Sequence, residues 1–174
     1  MEEMNACPEA NGVPVSVSRF TRIDHIAIAV IDLEQAIHFY TGVLGFTLVR
    51  RLKINGKRSG MVSAEIESNN IKLVLCQGLE PESQVSRLIE NHGPGVAHIA
   101  IEVDDVEASV ADLKNRGLEF ATSVIGGPKL QQAFSSRDAN SGIAFEFIRR
   151  GEETGFLESN VQDLFDQMEK SGSY

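Results

Sequence analysis

The chain has 174 residues, 42% of them hydrophobic and 24% charged, with a formal net charge of −9. That length suits one domain, or two small halves sharing a core. The acidic balance argues against a nucleic acid or an anionic membrane as partner, and no apolar run approaches the ~18 residues that span a bilayer. The two cysteines, Cys7 and Cys76, fall in unrelated segments, so a reducing, cytoplasmic setting is expected.

Residues 1–19 begin with acids and lack the basic start and apolar core of a secretory signal, and are expected to form a disordered acidic leader. A folded domain is expected over 20–157, with a C-terminal lid helix and tail over 158–174. Within the domain the chain repeats itself. Laid without a gap over Ala97–Glu107, the stretch Asp24–Glu34 is identical at seven of eleven positions. Both copies alternate aliphatic residues with alanine, the pattern of a strand, and both run on into an amphipathic helix. In the first helix Leu33, Ala36, Ile37 and Tyr40 share a face, with Asp32 and Gln35 as a capping box. In the second, Val106, Val110 and Leu113 do so, Asp104 or Asp105 caps, and Gly117 closes the helix.

Strand patterns follow each helix, at 45–52, 60–66 and 71–76 in the first half and at 119–124, 131–135 and 142–149 in the second. Each half therefore reads as a βαβββ module, about 22–78 and 95–150, in an α+β protein. A short helix is expected near 83–90 in the linker, and a final amphipathic helix over 159–170.

Three polar residues interrupt apolar strands: His25, its repeat His98, and Glu146 in the last strand. An unpaired polar group at an inward strand position costs roughly a few kcal/mol, so these positions need a function. Their strand-face neighbours are small (Ala27 and Ala29, Ala100, Ala144), which suggests a cavity. Two histidines and one carboxylate form the ligand set that holds non-haem Fe(II) with positions left open.

These residues, with the motifs Tyr40–Phe46 (YTGVLGF), Gly93–Ala100, Arg116–Phe120, Phe145–Arg149 (FEFIR), Gly155-Phe156 and Asn160 to Phe165, resemble the vicinal oxygen chelate superfamily. In that superfamily paired βαβββ modules curl into one cup-shaped mixed sheet around a metal. More narrowly, the chain is similar to the C-terminal catalytic half of the 4-hydroxyphenylpyruvate dioxygenases. The resemblance implies Fe(II) on His25, His98 and Glu146, and a substrate shell of Ser63, Gln84, Gln132, Phe134, Phe156 and Asn160. Gln84 and Gln132 would hydrogen-bond the substrate's polar atoms during catalysis. Ala144 and Val161 stand where that family carries phenylalanines, which implies a pocket of different shape. The superfamily's fourth ligand position falls near Val74, which favours a three-ligand site.

The implied activity is oxidative decarboxylation with hydroxylation of a small or medium 2-oxo acid, using O2. One rival is a divalent-metal isomerase, epimerase or lyase, which needs a base such as Glu102; another is a metal-free small-molecule binding protein. Glu102 otherwise reads as a strand end at solvent, Gln132 as ordinary strand polarity, and Phe134 and Phe156 as core. His38 and His92 read as structural or solvated, Glu65 and Glu67 as solvated, and Cys76 as an inert buried thiol. Exposed sheet edges make a homodimer the expected assembly.

Overall fold

A computed structural model describes residues 20–56, 59–151, 160, 162–164, 166 and 167. The expected leader, Phe156 and Val161 lie outside these described residues. The first module comprises β1 (Phe20–Ala29), α1 (Leu33–His38), β2 (Thr47–Asn55), β3 (Gly60–Ser68) and β4 (Ile71–Gly78). A linker helix, α2 (Gln84–His92), leads to the second: β5 (Gly95–Val103), α3 (Val106–Asn115), β6 (Ile125–Gly127), β7 (Leu130–Phe134) and β8 (Ala144–Arg150).

Local chemistry sets these boundaries. Asp32 caps α1 by accepting from the Gln35 backbone N–H at 2.9 Å, and the Gln35 side chain donates back to it at 3.1 Å. The helix then widens into a π-turn over Phe39–Val43, where the Leu44 N–H reaches the Phe39 carbonyl. Asp105, rather than Asp104, caps α3 through the Ala108 N–H. Past its end, Gly117 takes φ +94° and the Leu118 N–H returns to the Leu113 carbonyl, a Schellman closure.

All eight strands form one sheet in the order β2-β3-β4-β1-β5-β8-β7-β6. The modules join where β1 and β5 run antiparallel, with His25 opposite Ala100 and Ala27 opposite His98. Within each module the first strand pairs with the last in parallel: Ala27 sits beside Val74, and Ala100 beside Glu146. The repeat that equates His25 with His98 also equates Ala27 with Ala100. Val74 is thus the first module's counterpart of Glu146.

Two-residue periodicity divides the strands between faces. On the outer face Leu33 and Ile37 of α1 pack on Ala64, Ile66 and Leu75. Val106 and Val110 of α3 pack on Val103, Ala133 and Phe147. Ile28 and Ile101 join these two clusters, so the larger aliphatics of the repeated strands do face the helices. The inner face carries the polar residues His25, His98 and Glu146 among apolar ones such as Met61, Val74 and Phe134.

One expected strand is displaced. Residues 119–124 form no strand; Phe120 makes a single bridge to Ser135, and the ladder begins at Ile125. The reason lies at Thr122, whose hydroxyl accepts from the Phe134 N–H at 3.0 Å and so replaces a strand partner with a side chain.

Candidate metal centre

His25, His98 and Glu146 converge at the seam between modules, and among the described residues they form a cluster with ligand atoms within 4.8 Å of one another. The edges of the triangle are even: 3.4 Å between the two Nε2 atoms, 3.2 Å from His25 Nε2 to Glu146 Oε2, and 3.3 Å from His98 Nε2 to the same oxygen. A cation with bonds of ~2.1 Å needs neighbouring ligands about 3.0 Å apart in an octahedron and about 3.4 Å apart in a tetrahedron. The triangle fits a single capping cation. Both carboxylate oxygens of Glu146 are buried, and among the described residues neither has a well-aligned hydrogen bond, although the two imidazoles reach Oε2 at 3.2 and 3.3 Å. A buried, unsatisfied carboxylate is what a metal would satisfy.

The electrostatics carry the same message. Burial favours the neutral form of Glu146, yet the imidazoles of His25 and His98 overcome it and hold the pKa down at about 2. Burial also disfavours a charged His25, but Glu146 and Asp24 raise its pKa to about 9. His98 is shifted the other way, chiefly by burial, with His25 and Arg137 adding to it. Without metal, one proton on His25 balances the carboxylate; a divalent ion would replace that proton.

A second layer orients His25. Its Nδ1 lies 2.9 Å from Asp24 Oδ1, which leaves Nε2 facing Glu146. Adjacent strand residues ordinarily point to opposite faces, but the β1–β5 register slips between Ile23 and His25, and both Asp24 and His25 are buried. Arg150, from the end of β8, holds Asp24 through Nε and one Nη at 2.7 Å each. That fork keeps the Asp24 carboxyl well below the usual carboxylate range, against burial, which works the other way. Arg137 braces β5 by donating to the Ala97 carbonyl at 2.8 Å, one residue before His98.

Above the triad lies a cavity of about 60 Å3, smaller than the roughly 300–1,000 Å3 of sites that enclose a drug-sized ligand. The first module lines it with Leu52, Met61, Ser63, Glu65, Val74 and Cys76; the second adds Gln132 and Phe134, and Leu164 arrives from the C-terminal helix. Phe134 stands edge-on to His98, ring centroids 5.1 Å apart. Gln132 is fully buried and, among the described residues, its Oε1 has no partner, so the cavity wall carries an unused acceptor.

Of the sequence-expected shell, Ser63, Gln132 and Phe134 reach the cavity. Gln84 does not: it is buried as the first residue of α2, away from the lining. Asn160 is also turned away, because its Nδ2 donates to the Leu130 carbonyl at 3.0 Å. It sits so close over Gly126, itself at φ +94°, that a Cβ there would lie 2.4 Å from Nδ2. Ala144 is one register step from Glu146, beside His98, without lining the cavity. Glu102 is tied to Arg22 at 2.6 Å and is not part of the site. Glu65 corrects the opposite expectation. It is not solvated but faces inward with Met61 and Ser63, its charge matched by Arg50 on β2. His38 and His92 are exposed, as expected.

The C-terminal segment is helical at the described positions 160, 162–164, 166 and 167. Gln167 Oε1 accepts from the backbone N–H and hydroxyl of Ser123, which fastens this helix over the second module.

This architecture, paired βαβββ modules with a His–His–Glu cluster at their seam, defines a class of cup-shaped metal sites. The family model described as the Glyoxalase/Bleomycin resistance protein/Dioxygenase superfamily matches residues 24–134, and the chain belongs to that superfamily. The 4-hydroxyphenylpyruvate dioxygenase of Legionella pneumophila is 27% identical over 195 residues, covering 90% of this chain and 56% of that protein. The human mitochondrial methylmalonyl-CoA epimerase is 34% identical over 102 residues, 58% of this chain and 57% of that protein. The chain thus spans about half the length of the curated relatives it matches. Among solved structures, a mutant of 4-hydroxymandelate synthase from Streptomyces coelicolor superposes with a TM-score of 0.78 at 22% identity, over 92% of this chain and 57% of that one. A methylmalonyl-CoA epimerase from Streptomyces coelicolor does so with 0.65 at 26%, over 76% and 99%. These likenesses agree on a metal-dependent vicinal oxygen chelate enzyme and divide over the reaction. No helix among the described residues is long and apolar enough to cross a membrane.

Proposed function

We propose that the chain is a non-haem Fe(II) dioxygenase-like enzyme acting on a small or medium 2-oxo acid. The observation that carries this reading is the pairing of Val74 with Ala27 where Glu146 pairs with Ala100. One side of the seam has a carboxylate; the other has an apolar side chain facing the cavity. Three protein ligands leave up to three neighbouring positions, enough for the carboxylate and keto oxygens of a 2-oxo acid and for O2.

His25, His98 and Glu146 would hold the ion, and Fe(II) bound there would supply the activation of O2 and of the 2-oxo acid. In the overall reaction one oxygen atom enters the new carboxylate, CO2 leaves, and the other oxygen becomes a hydroxyl on the side chain. The protein's own part is orientation and exclusion of water. Asp24 and Arg150 hold the His25 ring so that Nε2 faces the ion. A single protein carboxylate leaves one positive charge on the divalent site, which a substrate carboxylate neutralises in a low-dielectric setting. Gln132 offers a buried acceptor, and Phe134, Met61, Leu52 and Leu164 enclose the side chain away from water.

The 34% identity to an epimerase supports a second reading, metal-assisted enolisation without O2. O2 uptake by anaerobically Fe(II)-loaded protein across a panel of 2-oxo acids separates the two. Substrate-dependent uptake with CO2 release, lost in His98→Ala, is expected. Turnover without O2 would replace the oxygenase with the isomerase.

A further inference from the structure

The cavity contains a second carboxylate, and nothing in the chemistry above uses it. Glu65 shares the inner face of β3 with Met61 and Ser63, and its side chain is 16% exposed. In the ladder it stands opposite Val74, as Phe134 stands opposite Glu146 in the second module. Ser63 and Gln132 are related in the same way, opposite Cys76 and Ile148. The two modules therefore present matching positions to the space above the metal: a phenylalanine on one wall and a glutamate on the other.

Arg50 holds Glu65 from the neighbouring strand, but both of its bonds, 3.1 Å from Nε and 2.5 Å from Nη2, fall on Oε1. Among the described residues no donor falls on Oε2. Arg50 itself is not in the cavity lining, so the group turned toward a ligand is the carboxylate and not the guanidinium. An anchored carboxylate in a largely apolar wall discriminates strongly, because a ligand that covers it without offering a donor leaves it unpaired and desolvated.

We propose that Glu65, braced by Arg50, is a specificity-determining residue. It accepts a hydrogen bond from a hydroxyl or amino group on the side chain of the metal-bound substrate, and so selects substrates with such a group over hydrocarbon analogues of equal size. The proposal rests on the 2-oxo acid reading for the substrate's anchored end.

The test is equilibrium binding, without O2, to metal-loaded protein. The probes are phenylpyruvate with its 3-hydroxy, 4-hydroxy and 4-amino analogues, and 3-phenylpropanoate with its ring-hydroxylated analogues. At least one donor-bearing probe is expected to bind roughly 10-fold or more tightly than its hydrocarbon parent. Glu65→Val should bring that ratio to about one, with the hydrocarbon parent binding more tightly as the desolvation cost disappears and the unfolding midpoint kept. Glu65→Gln, which keeps an acceptor of the same shape, should retain part of the preference for hydroxyl donors.

Absence of any donor preference in the wild type, or an unchanged ratio in Glu65→Val, would overturn the assignment. So would solvent hydrogen exchange at the carbon next to the oxo group that is lost in Glu65→Gln, because Glu65 would then act as a base. If 2-oxo acids bind no better than the plain carboxylates, the 2-oxo acid reading falls, while the donor ratio in either series still decides the role of Glu65.

Discussion

The two modules start from one pattern and finish it differently. In the first, strands of eight and nine residues build a broad wall, and the module contributes one member of the triad, His25. In the second, β6 and β7 have only three and five residues, and the module contributes two members, His98 and Glu146. Register equates Val74 with Glu146, Ser63 with Gln132, and Glu65 with Phe134. The second module supplies two of the three side chains of the candidate metal site, and the first supplies the third and most of the wall above them. The duplicated cup thus divides its labour through a few side-chain changes at matching register positions, with the backbone pairing preserved.

The most damaging change to that division is loss of the second module's carboxylate. Glu146→Ala should weaken divalent-metal binding by on the order of 100-fold or more, beyond the 10–100-fold typical of outer-layer residues. Metal content after dialysis and the metal dependence of thermal unfolding would report it; full retention of metal would mean that the triad is not the site. The sharpest test of the comparison is Val74→Glu, which gives the first module a carboxylate at the matching register. Metal affinity should rise by roughly 10-fold as a fourth ligand closes the site, while O2-dependent turnover falls because fewer positions remain open. A variant with unaltered metal affinity would show that the register symmetry does not extend to the ligand atoms.

Next in size is the brace behind His25. Asp24 and Arg150 join the start of the first module to the end of the second, and their side chains are 1% and 9% exposed. Asp24→Asn removes the charged partner of the Arg150 fork, and breaking such a buried pair costs about 3–5 kcal/mol of folding stability. It should also reduce metal affinity by about 10–100-fold through a loosened imidazole. The pH dependence follows from the depressed carboxyl pKa in the fold. The unfolded chain takes up this proton first, near the ordinary aspartate value of about 4. The contribution is therefore complete above that pH and is lost as pH falls toward the folded value. Unfolding midpoints at pH 6 and pH 3.5 should drop further in the wild type than in Asp24→Asn.

Much of this was legible in the sequence because it was written twice. The repeat around His25 and His98 identified both modules, both inner faces and two members of the clustered triad before any geometry, whereas the alanines beside them do not line the cavity. What stayed hidden is what depends on pairing between distant strands. Glu65 read as solvated because carboxylates usually are; its inward position depends on Arg50, fifteen residues away on β2. Nothing in the sequence singles out Asp24, because strict alternation sends it away from His25, and a register slip overrides that alternation. Gln84 and Asn160 were carried by resemblance alone, and each is consumed by local packing at a helix start or a strand carbonyl. The strand expected at 119–124 failed for a related reason, a threonine hydroxyl substituting for a ladder bond.

The smallest effect concerns Cys76, which lines the first module's wall opposite Ser63 in the ladder. Burial pushes its thiol up to about 12. The thiolate is the reactive form, so at pH 8 only about one thiol in 10⁴ is available, against roughly a quarter for an ordinary cysteine near 8.5. Cys76 should therefore resist iodoacetamide at pH 8 in the native protein and react at once on denaturation, as peptide mass analysis would record. Rapid native labelling would mean that the first module's wall is wetter than its packing implies, and that the contrast between an apolar wall and a metal-holding one is weaker than the register suggests. Replacement of Cys76 by Ser should be nearly silent for metal binding, since its neighbour across the ladder already carries a hydroxyl and neither side chain belongs to the triad.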